Sequence, residues 1–219
     1  MNTTLTSSPL APLLERLFAQ ADAASSPAMA TMSPDERKRL LRSKTAYLHF
    51  YGLLKDLWLP VSREAGSLLY LLARSTNARN IVEFGTSFGI STLHLAAALR
   101  DNGGGRLISS EFEPSKVSRA REHMSDGGVA DLVEIRQGDA LRTLAVDLPD
   151  SIDLLLLDGA KSLYGDVLAL VESRLRPGAL IVADNADFSP DYLARVRAPG
   201  GAYVSVPFGG DVEVSMRLG

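Results

Sequence analysis

The chain has 219 residues, 46% hydrophobic and 22% charged, which suits one globular domain with a full-sized core. A net charge of -3 offers no general attraction to nucleic acid or to membrane surfaces. The lack of cysteine excludes disulfides, Cys-ligated zinc and a thiol nucleophile, and no apolar run approaches the roughly 20 residues a membrane helix needs.

Leu10, Leu13, Leu14, Leu17 and Phe18 follow helical spacing, with Glu15 and Arg16 on the other side, and so predict an amphipathic helix that needs a partner surface. "PAMA" at 27–30 has the look of a signal cleavage site, but the start is not cationic and Glu15 and Arg16 interrupt what would be its apolar stretch. A cytoplasmic enzyme or binding protein is therefore expected. Beyond a linker rich in Ala, Ser and Pro, "SPDE" at 33–36 supplies an N-cap, a first-turn proline and a capping-box acid for a second helix. That helix carries Arg37, Lys38, Arg39, Arg42 and Lys44. A solvated face is preferred over a nucleic-acid patch, given the acidic total. Tyr47, Phe50, Tyr51 and Trp58 then form an aromatic cluster, suited either to core or interface packing or to the wall of a substrate pocket.

From residue 62 the pattern is regular. "SREAGSLLYLLARS" reads as a helix, after which the apolar runs "NIVEF", "RLISSE", "LVEIRQ", "IDLLLLD" and "ALIVAD" alternate with helical segments "STLHLAAALR", "PSKVSRAREHM" and "YGDVLALVESRL". Such alternation predicts an α/β fold with a mostly parallel sheet covered by helices on both faces, because each parallel return needs a crossover. "AYVSVPF" and "DVEVSMRL", around Gly209 and Gly210, predict a closing hairpin at one edge, so that the last of seven strands runs antiparallel. We divide the chain into an N-terminal helical arm and linker at 1–58 and a Rossmann-like domain at 59–219.

In a sheet of this kind ligands bind beyond the carboxyl ends of the strands. The first predicted strand leads through Glu83 into a loop with Gly85 and Gly89, where the backbone turns sharply without a Cβ in the way. A dinucleotide site would want a third glycine where Ser87 stands, and the acid at Glu83 disfavours phosphate. A cationic nucleoside such as S-adenosylmethionine suits the charge better. Glu111, ending the next strand, would accept both ribose hydroxyls, and Asp139, after the third, would reach the adenine amino group. Each acid alone could equally cap a helix or a turn.

These residues carry a resemblance. Residues 59–218 resemble the cation-dependent class I S-adenosylmethionine-dependent O-methyltransferases, the group of catechol and caffeoyl-CoA O-methyltransferases. "PVSREAGSLLYLLAR" looks like that group's helix before the first strand, "VEFGTSFGIST" like its cofactor loop, "DGAKSLY" like its D-x-x-K-x-x-Y segment and "LRPGALIVADN" like its paired metal-binding Asp-Asn. The resemblance implies cofactor contacts at Val61, Glu83, Gly85, Ser87, Gly89, Ser91, Glu111, Asp139 and Asp158, with Ser62 bordering the methionine part. It implies metal ligands at Asp158, Asp184 and Asn185, and a catalytic Lys161 acting beside Asp158. Gly159 and Ala160 are small where relatives carry larger residues, and this is expected to leave room. The stretch between Asn185 and the final hairpin is shorter than in the family.

The chemistry is coherent in its own terms. Oxygen ligands without His or Cys select a hard cation: magnesium first, then calcium or manganese. Such an ion lowers the pKa of a coordinated hydroxyl, and a neutral Lys161 would take the proton. The same aspartates could simply cap helices or close turns, and Tyr164 is expected to pack or hydrogen-bond rather than react. His49, His94 and His123 receive no role. The expected function is O-methylation of a small aromatic or vicinal-diol metabolite. The alternatives are methylation of RNA, methylation of nitrogen or carboxylate on a small molecule, and a non-catalytic cofactor-binding protein. The N-terminal helices, with too few partners in the sheet domain, are expected to pack across a homodimer.

Overall fold

The computed structural model describes residues 3–25 and 27–219; Ser26, in the predicted linker, lies outside the described residues, as do residues 1 and 2. Seven strands, β1 (Asn80–Phe84), β2 (Arg106–Glu111), β3 (Val133–Gln137), β4 (Ile152–Leu157), β5 (Leu175–Ala183), β6 (Tyr203–Phe208) and β7 (Val212–Arg217), form one sheet in the order β3-β2-β1-β4-β5-β7-β6. Every pairing from β3 to β5 is parallel, and β7 alone runs against its neighbours, as expected for the closing hairpin. The strand order reverses between β1 and β4, which opens a crevice at their carboxyl ends.

Consecutive strand residues point to opposite faces, and both faces are buried. Ile81, Leu107, Leu154 and Leu156 belong to a core shared with helices α1 (Leu10–Ala23), α5 (Arg63–Ser75), α6 (Ile90–Asp101) and α7 (Pro114–Asp126). Val82, Ile108, Leu155 and Leu157 face a second core closed by α8 (Ala140–Thr143), α9 (Tyr164–Val171) and α10 (Pro190–Val196). β5 begins several residues earlier than the apolar run implied. Its ladder with β4 is irregular between Ile152 and Leu154, and that bulge accommodates Pro177 and Gly178 within the strand.

The first helix of the expected N-terminal arm packs on the sheet domain. Leu10, Leu13, Leu14, Leu17 and Phe18 are buried in the first core, where α1 packs on α6 and α7. The premise that these helices lack partners in the sheet domain therefore fails for α1. Its polar face is tied as well, by Arg63 to Glu15 at 2.9 Å and by Arg16 to Asp126 at 3.3 Å. The shorter helices α2 (Pro27–Thr31), α3 (Pro34–Leu41) and α4 (Tyr47–Leu53) gather round Leu40, Phe50 and Leu54 in a small separate cluster over the carboxyl ends of the strands. Ser33 caps α3 by accepting from the Glu36 amide at 3.2 Å, as the sequence predicts. Among the described residues no helix is long and apolar enough to cross a membrane.

Candidate active site

The loop from β1 into α6 wraps the first strand end. Gly85 sits at φ +105°, and a Cβ there would stand 2.6 Å from the Asp158 carbonyl carbon, so the loop is pressed against the end of β4. Gly89, at φ +90°, serves packing instead: a Cβ would meet the Met124 side chain of α7 at 2.7 Å. Glu83 is fully buried below the loop rather than at its mouth, where the sequence reading set it. Its carboxylate accepts from Ser91 Oγ and Thr92 Oγ1 at 2.6 Å and from Ser109 Oγ at 2.5 Å. Burial pushes its pKa up to about 7 against those three donors.

Glu111 ends β2 and accepts from the Ser87 amide at 2.8 Å and the Glu113 amide at 3.0 Å. Burial raises its pKa. Asp139 caps α8 through the Leu141 amide at 3.0 Å, while its other oxygen takes the Tyr47 hydroxyl of α4 at 2.8 Å. Burial, then Asp139 itself, pushes that hydroxyl up to about 12. Glu111 and Asp139 line a cleft of about 70 Å³ with Ser87, Tyr47, Lys116 and Asp158. Ser87 Oγ is buried without a partner among the described residues. Lys116 is 5% exposed, its ammonium 5.3 Å from the Phe88 ring centre, and burial pulls its pKa down.

The ends of β4 and β5 carry the second group. Lys161 Nζ donates to Asp158 Oδ1 at 2.8 Å and stands 3.9 Å from Asp184 Oδ2. Burial opposes the ammonium, but Asp158, Tyr164, Asp184 and Tyr51 together outweigh it and hold the lysine well above its ordinary range. Asp184, pressed by burial and by Asp158, is pushed up to about 7. Asn185, in the left-handed region at φ 48°, donates through Nδ2 to Asp211 at 3.0 Å. Tyr164 is fully buried and donates to the Asp184 carbonyl at 2.7 Å, a structural contact as expected. Among the described residues no three His, Cys, Asp or Glu side chains are grouped to hold a metal. The positive charge beside Asp158 and Asp184 is the Lys161 ammonium.

Lys161, Asp184 and Asn185 line a larger cavity of about 300 Å³ whose other walls include Phe50, Tyr51 and Leu57. Asp158, Gly159, Tyr51 and Leu59 line both spaces, so the two meet at the end of β4. Gly159 does not leave the expected room, because a Cβ there would run into the Phe84 ring, which takes that space. Val61 is buried in the first core and Ser62 caps α5; Leu59 and Pro60 reach the cavities in their stead. The sequence set Tyr47 in an aromatic cluster that could wall a substrate pocket, and gave no such place to Lys116, Asp211 or Arg37. For Lys116 the usable signal was its place in the first turn after a strand-end acid.

A model of a methyltransferase domain matches residues 82–186. The chain is 38% identical over 128 residues to a catechol O-methyltransferase from Niastella koreensis, covering 57% of this chain and 57% of that one. It is 28% identical over 148 residues to the caffeoyl-CoA O-methyltransferase of Mesembryanthemum crystallinum, covering 65% of this chain and 58% of that one. The chain thus spans little more than half the length of these relatives. The structure of the O-methyltransferase TomG from Streptomyces achromogenes, in complex with SAM, superposes with a TM-score of 0.65 at 26% identity, covering 94% of this chain and 96% of that one. Residues 82–186 are thus similar to a methyltransferase domain, and the chain is similar over part of its length to catechol and caffeoyl-CoA O-methyltransferases.

Proposed function

We propose that the chain transfers the methyl group of S-adenosylmethionine to a hydroxyl of a small aromatic or vicinal-diol acceptor. The observation that carries this reading is the meeting of two spaces at Asp158 and Gly159, one lined by strand-end acids and the other by Lys161. The residues fit the donor. Ser87 Oγ is a buried group without a partner among the described residues, and Glu111 and Asp139 are acceptors for ribose hydroxyls and an adenine amino group. The acids favour a sulfonium over a pyrophosphate. At about 70 Å³ the first cleft is tight for a nucleoside, so the donor enters by displacing α4, latched by Tyr47 on Asp139.

Asp158, Asp184 and the Asn185 side-chain oxygen are hard donors that suit magnesium, calcium or manganese, and Asp184 held near 7 marks where further positive charge is favoured. A divalent cation held there would lower the pKa of an acceptor hydroxyl. Lys161 Nζ, against Asp158, is the group positioned to receive the hydroxyl proton once the carboxylate charge is compensated. The acceptor oxygen then bonds to the methyl carbon as the carbon–sulfur bond breaks. Positioning and charge placement supply most of the acceleration.

Transfer of labelled methyl from S-adenosylmethionine to a catechol tests the reading, together with calorimetric titration of S-adenosylhomocysteine. Lys161→Met is expected to lower turnover by roughly 10²–10⁴-fold with product affinity retained, and Glu111→Gln to weaken that affinity. Wild-type protein that binds no S-adenosylhomocysteine overturns the proposal.

A further inference from the structure

Lys116, in the first turn of α7, is 5% exposed, yet its ammonium makes neither a hydrogen bond nor an ion pair among the described residues. What it meets is the Phe88 ring, with Nζ 5.3 Å from the ring centre. The ring attracts the charge but offers no oxygen to the three ammonium hydrogens, and burial without such a partner is the costly state for a cation. Phe88 follows Ser87, whose amide donates to Glu111 Oε2 at 2.8 Å, so the ring beneath the ammonium is one residue from the group that holds the strand-end acid. Glu111 Oε1 accepts from the Glu113 amide at 3.0 Å, which leaves each Glu111 oxygen with a lone pair to spare. Glu113 is itself occupied by Ser115, which donates through Oγ at 2.9 Å.

The two charges feel one another. Burial pulls the Lys116 ammonium down, and Glu111, then Glu113 and Asp56, pull it back up; burial raises Glu111, and the Glu113 amide, then Lys116, work against that. Opposite charges thus line one cleft without closing on each other as an ion pair. A ligand group that satisfies both must donate to a carboxylate and accept from an ammonium. In S-adenosylmethionine the ribose hydroxyls do both through one oxygen, whereas the adenine amino group only donates and the carboxylate only accepts. We propose that Lys116 is a specificity-determining residue for the donor, giving a hydrogen bond to a ribose hydroxyl oxygen while Glu111 accepts from the same diol. This rests on the methyltransferase reading of the cleft. A donor analogue without that hydroxyl leaves a buried ammonium unpaired, which is the stronger form of discrimination.

S-adenosylhomocysteine and its 2′-deoxy and 3′-deoxy ribose analogues, titrated calorimetrically into the full chain, test the inference. Wild type is expected to bind the parent compound more tightly than either analogue. Lys116→Met should weaken the parent by about tenfold or more, the worth of one charge-assisted hydrogen bond. It should leave one analogue, the one that lacks the hydroxyl served by Lys116, close to its wild-type affinity. Lys116→Gln, which keeps an N–H donor, should recover part of the loss. With S-adenosylmethionine as substrate the Lys116→Met effect is expected in KM and not in kcat, because the ribose is held alike before and during transfer. A Lys116→Met variant that binds the parent as wild type does, or that weakens all three compounds by the same factor, overturns the assignment of Lys116 and leaves the methyltransferase reading standing. Wild type that binds none of the three overturns that reading itself.

Discussion

Glu83 illustrates how one residue type can serve the fold from the position where sequence patterns suggest ligand contact. It is fully buried, bonded to three hydroxyls, and its pKa rises from the ordinary 4.5 to about 7 through burial. A carboxyl more readily protonated when folded than when unfolded stabilises the protein below pH 4.5, and that contribution disappears as pH climbs to about 7. At 1.36 kcal/mol per pH unit the interval amounts to roughly 3 kcal/mol. Wild type is therefore expected to lose stability relative to Glu83→Gln between pH 4.5 and 7, with a constant difference above 7. Urea midpoints at half-unit intervals check this, and parallel curves would show that the buried carboxyl is not the source.

At the scale of an element, the β1–α6 loop depends on backbone conformations that side chains disfavour. Gly85 is at φ +105° with the Asp158 carbonyl 2.6 Å from a would-be Cβ, whereas Gly104, at φ +107°, has open space within 4 Å. The two share the backbone cost of a positive φ, and only Gly85 adds a collision with the end of β4. Gly104→Ala is expected to cost about 1–3 kcal/mol. Gly85→Ala should cost more and weaken S-adenosylhomocysteine binding at least tenfold, whereas Gly104→Ala leaves it alone. Thermal melts and titrations of the pair separate strain from collision; equal stability losses and intact binding in both would mean that the loop is not pressed on β4 as described.

For the molecule as a whole, the division of the chain at residue 58 does not follow the packing. α1 belongs to the sheet domain, while residues of α2 to α4 line the cavity at the carboxyl ends of its strands. Five large apolar side chains of α1 are buried, each worth about 1.5–3 kcal/mol, a sum comparable with the roughly 5–15 kcal/mol that holds a domain together. Deletion of residues 1–25 is thus expected to leave a chain with no cooperative melt near that of wild type, at any protein concentration. A truncated chain that melts as wild type does would show that α1 is dispensable. The apolar side chains that stay exposed lie elsewhere, with Val204 and Val206 on the edge strand β6 each about half exposed.

The number and direction of the strands, the helices between them and the acids at the strand ends were legible in the sequence, because two-residue and 3.6-residue periodicities and strand-end placement are local properties of the chain, whereas the order of the strands across the sheet came from the structure. Short helices without a long apolar period, α4, α8 and α10, escaped such a reading. Which surface α1 covers, whether Glu83 meets solvent, what fills the space beside Gly159 and which cation of α3 enters the cavity were decided only by the tertiary structure. Each of these depends on contacts between residues far apart along the chain, and periodicity carries no information about which distant surface a side chain meets.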